Sequence, residues 1–227
     1  MTNMLDGYPG HEHALPIYPL YSDVWKSISK SGMIVTPTLL VSYGGPFAEN
    51  YFWSREVPYN DPKVQHFFAY EELAGKTRRL GYWAMDEEQV FPKHAKNMKG
   101  LVEAGGLVGV GSHGEFQGLG YHWELWALQS GGMRTIDALR AATILGATGL
   151  GLDKDLGSLE TGKLADLIIL NKNPLENIRN TNTIQYVMKN GRLYDGNTCD
   201  EVYPQQRKLN TDEWKFNKPA TNTTVKE

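Results

Sequence analysis

Short apolar segments alternate with longer amphipathic ones up to about residue 150, and this alternation is the feature that most limits the possible folds. Met33–Tyr43 is apolar and β-branched, which predicts a buried strand, and Leu107–Gly111 predicts another. Asp23–Ser31 predicts a helix that ends at Gly32. Alternating strands and helices form right-handed β-α-β units in a parallel sheet, so we expect an α/β fold.

The remaining segments of this region are predicted as loops and helices. Gly7–Pro19 is rich in Gly, Pro and His and predicts a short strand that runs into a loop. Gly44–Val64 follows neither a strand period nor a helix period, which predicts a long loop or lid on the active side of the fold. The later predicted helices are Phe67–Met85, Asp86–Ala104, His122–Gln129 and Thr135–Gly146.

The pattern changes after residue 151. Gly157–Leu170 and Ile184–Tyr194 predict strands, the second as a hairpin that turns at Lys189–Gly191. Pro204–Glu227 is polar with a single Trp and predicts a loosely packed tail. We therefore expect a strand–helix unit over residues 1–152, a small β segment over 153–203 and a tail over 204–227.

Composition excludes several classes of protein. The 23 basic and 26 acidic residues give a net charge of −3 without a basic cluster, so no nucleic-acid partner is expected. The longest uncharged stretch, Ser31–Ala48, is interrupted by Gly and Pro, so no membrane-spanning helix is expected. The N-terminus lacks the pattern of a signal peptide, and the single Cys199 excludes an intrachain disulfide and a multi-cysteine zinc site. We expect a cytoplasmic location.

Three of the six histidines lie at predicted strand ends, where parallel α/β folds build their sites. His11 and His13 are two residues apart, so on a strand they face the same side and could share a divalent ion such as Zn²⁺. The alternative is that one of these two histidines lies in a polar loop and the other makes a hydrogen bond at the strand end. His113 suits a general base or a metal ligand, or else a residue that caps its loop. Glu115 could pair with His113 or be solvated.

The other histidines give weaker signals. His66 and His94 lie on predicted surface helices, so we expect them to be solvated. His122 and Glu124 are two residues apart on a predicted helix and do not face each other, so no joint site follows.

Aromatic side chains are concentrated in and beside the predicted lid, at Tyr43, Phe47, Tyr51, Phe52 and Trp53. They could line an apolar pocket for a small-molecule substrate, with Tyr43 and Trp53 in contact with it. They could equally belong to the core.

Several short blocks in a fixed order resemble the C-terminal end of the amidohydrolase superfamily. The blocks are Ala138–Thr143, Gly146–Ala147, Leu150–Leu152, Gly157–Glu160, Gly162–Leu167, Asn173–Leu175 and Val187–Gly191. Upstream, Gly10–Ala14 resembles the sixth-strand motif of that family, and Pro37–Leu39 resembles the seventh strand. Gly111–His113 falls where the family usually has Gly-Thr-Asp on the eighth strand. The sequence is most similar to the branch fused to tricorn-like β-propeller proteins.

The resemblance implies a partial TIM-type (β/α) barrel, made of the last three strand–helix units. It places His13 at the sixth-strand metal ligand and His113 at the position of the usual eighth-strand aspartate. It implies a metal-dependent hydrolase that acts on amide-like C–N bonds or esters of small substrates. The divalent ion would be held by His11 and His13, or by His13 alone with a partner subunit, and His113 would act as general base.

Three strands alone leave two open sheet edges, so we expect a homo-oligomer that buries them. Two alternatives remain open. The chain is an inactive truncated fragment or assembly module, or it is a metal-free hydrolase whose site forms on oligomerisation.

Overall fold

A computed structural model describes residues 2–77 and 83–210 of the chain. The strands of these residues are β1 (Gly10–Glu12), β2 (Ile34–Thr36), β3 (Leu107–Val108), β4 (Leu167–Leu170), β5 (Ile184–Lys189), β6 (Arg192–Asp195) and β7 (Glu201–Tyr203). The helices are α1 (Thr2–Leu5), α2 (Ser22–Ser31), α3 (Ala48–Glu56), α4 (Pro62–Phe67), α5 (Tyr70–Thr77), α6 (Phe91–Glu103), α7 (Leu119–Ser130), α8 (Thr135–Ala141) and α9 (Ile144–Gly149). None of the helices in these two ranges is long and apolar enough to cross a membrane.

The first three strands form a parallel sheet in the order β1-β2-β3. Helix α2 connects β1 to β2, and α3 to α6 lie between β2 and β3 in the chain. This confirms the predicted α/β class. The partial barrel and the division of the chain at residue 152 stay predictions.

The chain leaves the sheet after Thr36, and the strand predicted over Met33–Tyr43 is wrong beyond that residue. Pro37 has no N–H to donate to a neighbouring strand. Thr38 then takes a left-handed conformation with φ +51°, and Leu39–Val41 form a 3₁₀ turn. Apolar composition alone does not separate a buried strand from a buried turn.

The buried carboxyl group of Glu124 holds this turn in place. Its Oε1 accepts the backbone N–H of Leu39 at 2.7 Å, and its Oε2 accepts that of Leu40 at 3.0 Å. Glu124 is fully buried on α7, and burial raises the pKa of its carboxyl to about 8. One buried acid thereby supplies partners to two backbone donors.

The loop predicted over Gly44–Val64 is also wrong, because most of this segment is helical, while its role as a lid stays a prediction. Helix α3 is followed by a 3₁₀ turn over Pro58–Asn60 and by the start of α4. The buried side chains of α3 are Ala48, Phe52 and Trp53, which share one helix face. Two of the three prolines of the segment, Pro58 and Pro62, stand in the first turn of a helical element, where an N–H would have no intrahelical partner.

Two longer predicted helices are interrupted. The helix expected over 67–85 corresponds to the end of α4 and to α5, and residues 78–82 lie outside the described part. The helix expected over 86–104 begins as a 3₁₀ turn at Asp86–Glu88 and continues as α6 from Phe91.

The second sheet is antiparallel, in the order β4-β5-β6-β7. The predicted hairpin is confirmed, since β5 and β6 pair across a turn in which Asn190 has φ +51° and Gly191 φ +74°. Within Gly157–Leu170, only Leu167–Leu170 is a strand. Strand β7 was not expected. Its first residue, Glu201, forms an antiparallel β-bridge with Arg207. Residues 211–227 of the predicted tail lie outside the described part.

Helix α7 lies at the centre of the core, with buried residues from Trp123 to Leu128 on all of its faces. At its end, the chain passes very close to α6. A β-carbon on Gly131 would lie 2.4 Å from the carbonyl carbon of Ala95 and 2.4 Å from the backbone nitrogen of Lys96. Since backbone atoms cannot move aside as a side chain can, the two helices require glycine here.

We expect Gly131→Ala to lower the free energy of unfolding by about 1–3 kcal/mol, because the added methyl group forces α6 and α7 apart. Gly75→Ala on α5 is the matched control. A β-carbon there meets nothing within 4 Å, so better helix propensity should raise stability slightly. Urea unfolding of both variants measures the difference. Equal stability of the two variants would contradict the close approach.

A second prediction concerns the pH dependence of stability. The pKa of Glu124 is raised from 4.5 to about 8 by folding, so the folded chain binds a proton that the unfolded chain releases between these values. This contribution to stability is complete below pH 4.5 and is lost as the pH rises through 8. Between pH 6.5 and 8 we expect this contribution to make the free energy of unfolding fall, whereas below pH 6.5 the lowered pKa values of the buried His94 and His122 act in the opposite direction.

Glu124→Gln should remove this pH dependence and should destabilise the protein by about 1–3 kcal/mol at pH 5, because its amide group faces a backbone donor. Glu87→Gln, at an exposed position, is the control and should keep the wild-type slope. Urea unfolding at pH 5, 6.5 and 8.5 measures both. An unchanged slope in Glu124→Gln would exclude a protonated buried carboxyl.

Candidate functional site

The candidate site lies where the three parallel strands end. His13 follows β1, the turn leading to Tyr43 follows β2, and His113 comes after β3. The carboxyl ends of parallel strands meet at one edge of a sheet, where α/β proteins commonly bind ligands. The sequence placed His13 and His113 at this edge, and the structure brings their rings together.

Three rings are neighbours at this edge. The ring centroids of His13 and His113 are 5.5 Å apart in an edge-on arrangement. The ring of Tyr43 lies 6.2 Å from that of His13. Tyr43 is 58% exposed, so a small molecule can reach it beside the two imidazoles.

His13 stands just past the end of β1, with φ +67°. Its N–H donates to the carbonyl of Thr36 at 2.8 Å, which fixes the backbone against β2. Strand alternation therefore does not extend to His13, and the argument that His11 and His13 share a face does not apply. Nδ1 of His13 is buried and makes no hydrogen bond within the described part of the chain.

His113 is paired with Glu115. Nδ1 of His113 lies 3.3 Å from Oε1 of Glu115, and both side chains are about half exposed. The ammonium of Lys76 donates to the backbone carbonyl of Glu115 and holds the loop from the side of α5. A carboxylate on Nδ1 orients an imidazole and leaves Nε2 as the nitrogen that can exchange a proton.

The loop after His113 is anchored by Phe116, which is 1% exposed. Its ring centroid lies 4.8 Å from that of Trp53, 4.7 Å from that of Phe68 and 5.4 Å from that of Trp123. The sequence left open whether the aromatic segment lines a pocket or belongs to the core, and Trp53 belongs to the core. Trp53 lies beneath the loop that carries His113 and Glu115.

His94 is a residue that the sequence assigned wrongly, since it is buried and not solvated. Its Nε2 lies 3.3 Å from the carbonyl oxygen of Tyr43, so this nitrogen donates and holds Tyr43 from α6. Burial lowers the pKa of His94, which keeps its ring neutral. The packing of α6 against α7 turns His94 inward, and the sequence of α6 alone did not give its direction.

The residues fit a metal ion only in part. Within residues 2–77 and 83–210, no group of three or more His, Cys, Asp or Glu side chains is placed to hold a metal ion. Catalytic zinc usually takes three protein ligands. The orphaned Nδ1 of His13 beside His113 is the feature that suits a ligand.

Comparison with known proteins gives the family. The model of the amidohydrolase family matches residues 2–194. An ochratoxinase of Aspergillus niger is 32% identical over 107 residues, which cover 45% of this chain and 22% of that enzyme. A 5'-deoxyadenosine deaminase of Methanobrevibacter smithii is 38% identical over 79 residues, which cover 33% of this chain and 18% of that enzyme.

A solved structure of a Xaa-Pro dipeptidase with bound methionine has a similar fold. It superimposes with a TM-score of 0.55 and 23% identity, over 85% of this chain and 41% of that one. The chain thus spans about a fifth of the length of its curated relatives and about two fifths of the structural one. With the family model covering most of its length, the chain belongs to the amidohydrolase family.

Proposed function

We propose that this chain contributes to a hydrolytic site for amide-like C–N bonds or esters of small molecules, with His113 as its general base. The observation that carries the proposal is the convergence of His13, His113 and Tyr43 at the carboxyl ends of β1 to β3. The relatives include an ochratoxinase and a deaminase, which supports hydrolysis as the class of reaction.

His113 and Glu115 supply the proton transfer. With Glu115 holding Nδ1–H, Nε2 of His113 accepts a proton from the attacking water. The same nitrogen then returns that proton to the leaving nitrogen or oxygen. Tyr43 lies beside the rings and contacts the apolar part of the substrate, while Trp53 supports the loop from below.

The amidohydrolase family generally uses divalent metal ions. The ligand that this chain would contribute is His13, with its buried and unbonded Nδ1, whereas His11 on β1 stays a second ligand predicted from the sequence alone. An ion such as Zn²⁺ polarises a carbonyl and lowers the pKa of bound water. Two imidazoles do not complete a metal site, so the proton transfer proposed above uses only His113 and Glu115.

A metal-free hydrolase is the second candidate. It is favoured by the His113–Glu115 pair, which places a carboxylate oxygen 3.3 Å from Nδ1 of the assigned base without any ion. We expect self-association for the metal-dependent and for the metal-free candidate. Among the described strands, β1 and β3 each pair on one side only, so we propose a homo-oligomer that covers these edges.

The first experiment measures metal content per chain by elemental analysis, after dialysis without added metal. It is paired with a hydrolysis screen of aryl amides, aryl esters and dipeptides, with and without chelator. A stoichiometric divalent ion and chelator-sensitive turnover support metal-dependent hydrolysis. Chelator-resistant turnover supports the metal-free candidate. No turnover in any arm contradicts both and leaves an inactive assembly module.

The second experiment tests the assigned base. On any substrate found by the screen, His113→Ala should lower kcat by at least about a hundredfold, the usual contribution of a general base. Glu115→Gln should lower kcat less and should shift the pH profile of turnover, because the amide oxygen still accepts Nδ1–H but lacks the negative charge of the carboxylate. His66→Ala on α4 is the matched control. Unchanged turnover in His113→Ala removes this residue from the mechanism.

A further inference from the structure

A cavity of about 510 Å³ lies between the helices and the antiparallel sheet. It is bounded by α4 and α5, by the first turn of α7, by β5 and by the turn after β6. Its apolar lining comes from Phe67, Phe68, Leu119, Ile184 and Val187. A volume of this size, with two aromatic rings and branched aliphatic side chains, suits a small organic molecule.

His122 is the fixed polar group of this cavity. Its Nδ1 lies 3.2 Å from the hydroxyl oxygen of Thr181, which is buried and accepts the N–H of Trp126 at 3.0 Å. Among the described residues, Nδ1 of His122 is the acceptor within hydrogen-bond distance of this buried hydroxyl, so we assign the hydroxyl proton to that bond and the ring proton to Nε2. Burial and the nearby ammonium of Lys63 lower the pKa of His122 to about 4, so the ring is a neutral donor.

The cavity is lined by charged groups of both signs, so it does not favour a positively or a negatively charged ligand. Lys63 brings one positive charge, and Asp61 and Glu72 bring two negative ones. The carboxylate of Asp61 is occupied at the start of α4, where it accepts the backbone N–H groups of Lys63 and Val64. A ligand that carries a full charge would meet repulsion as well as attraction, whereas an uncharged one meets neither.

We propose that this cavity binds an uncharged small molecule that has an aromatic or branched apolar body and one carbonyl oxygen. Nε2–H of His122 donates to the carbonyl, and the body packs between Phe68, Leu119 and Val187. The proposal is independent of hydrolysis at the His13–His113 edge. No residue of that edge lines the cavity.

The probe for the test is prodan, an uncharged naphthyl ketone whose emission reports polarity and hydrogen bonding to its carbonyl. We expect saturable binding of one dye per chain with blue-shifted emission. Val187→Trp fills the cavity and should abolish binding. Val202→Trp, on β7 and outside the lining, is the matched control and should bind as the wild type does.

His122→Phe tests the donor. It keeps a flat apolar ring and removes Nε2–H, so the dye should bind about tenfold more weakly, as expected for one lost hydrogen bond. Its emission should also shift further to the blue. Circular dichroism and the melting temperature verify folding, and Ile184→Trp replaces Val187→Trp if the latter does not fold.

The only cysteine of the chain, Cys199, lines the same cavity and locates the dye. Saturating prodan should slow the reaction of Cys199 with a thiol reagent at constant pH in the wild type and in Val202→Trp. The proposal is overturned by dye binding that survives in the folded filling variants, or by binding that leaves Cys199 unprotected. Absence of saturable binding to the wild type overturns it as well.

Discussion

The arrangement of the parallel sheet and its site depends on one buried carboxyl group, that of Glu124. It accepts the two consecutive backbone N–H groups of Leu39 and Leu40, which would otherwise be buried without partners. Glu124 is located on α7, the helix with buried residues on every face, so the turn after β2 is fixed to the central helix of the core. The path from Thr36 to Tyr43 follows from this attachment.

The exposed groups of the site are each held by a buried one. Phe116 anchors the loop that carries His113 and Glu115, through its contacts with the aromatic rings of the core. His94 holds the backbone of Tyr43 from α6. An exposed side chain can keep a defined position only if its backbone is restrained. The geometry of this edge is therefore a property of the core packing as much as of the loops.

The sequence predicted some elements well because their signals are local. Asn190–Gly191 between two apolar strands is such a signal, since both turn residues need positive φ. It failed at the 3₁₀ turn over Pro58–Asn60 and at the start of α4 because Pro58 and Pro62 were interpreted as loop residues, although proline is favoured in the first turn of a helix. It failed at His94 because only the packing of α6 shows which of its faces is buried.

By itself, the sequence determined the alternation of strands and helices, the resemblance to the amidohydrolases and the presence of His13 and His113 at strand ends. Only the tertiary structure decided which side chains meet. Glu124 and Leu39 are 85 residues apart in the chain, and no local pattern encodes such a contact. The direction of the two imidazoles depends on positive φ angles of +67° and +64°, which non-glycine residues adopt only when the surrounding structure imposes them.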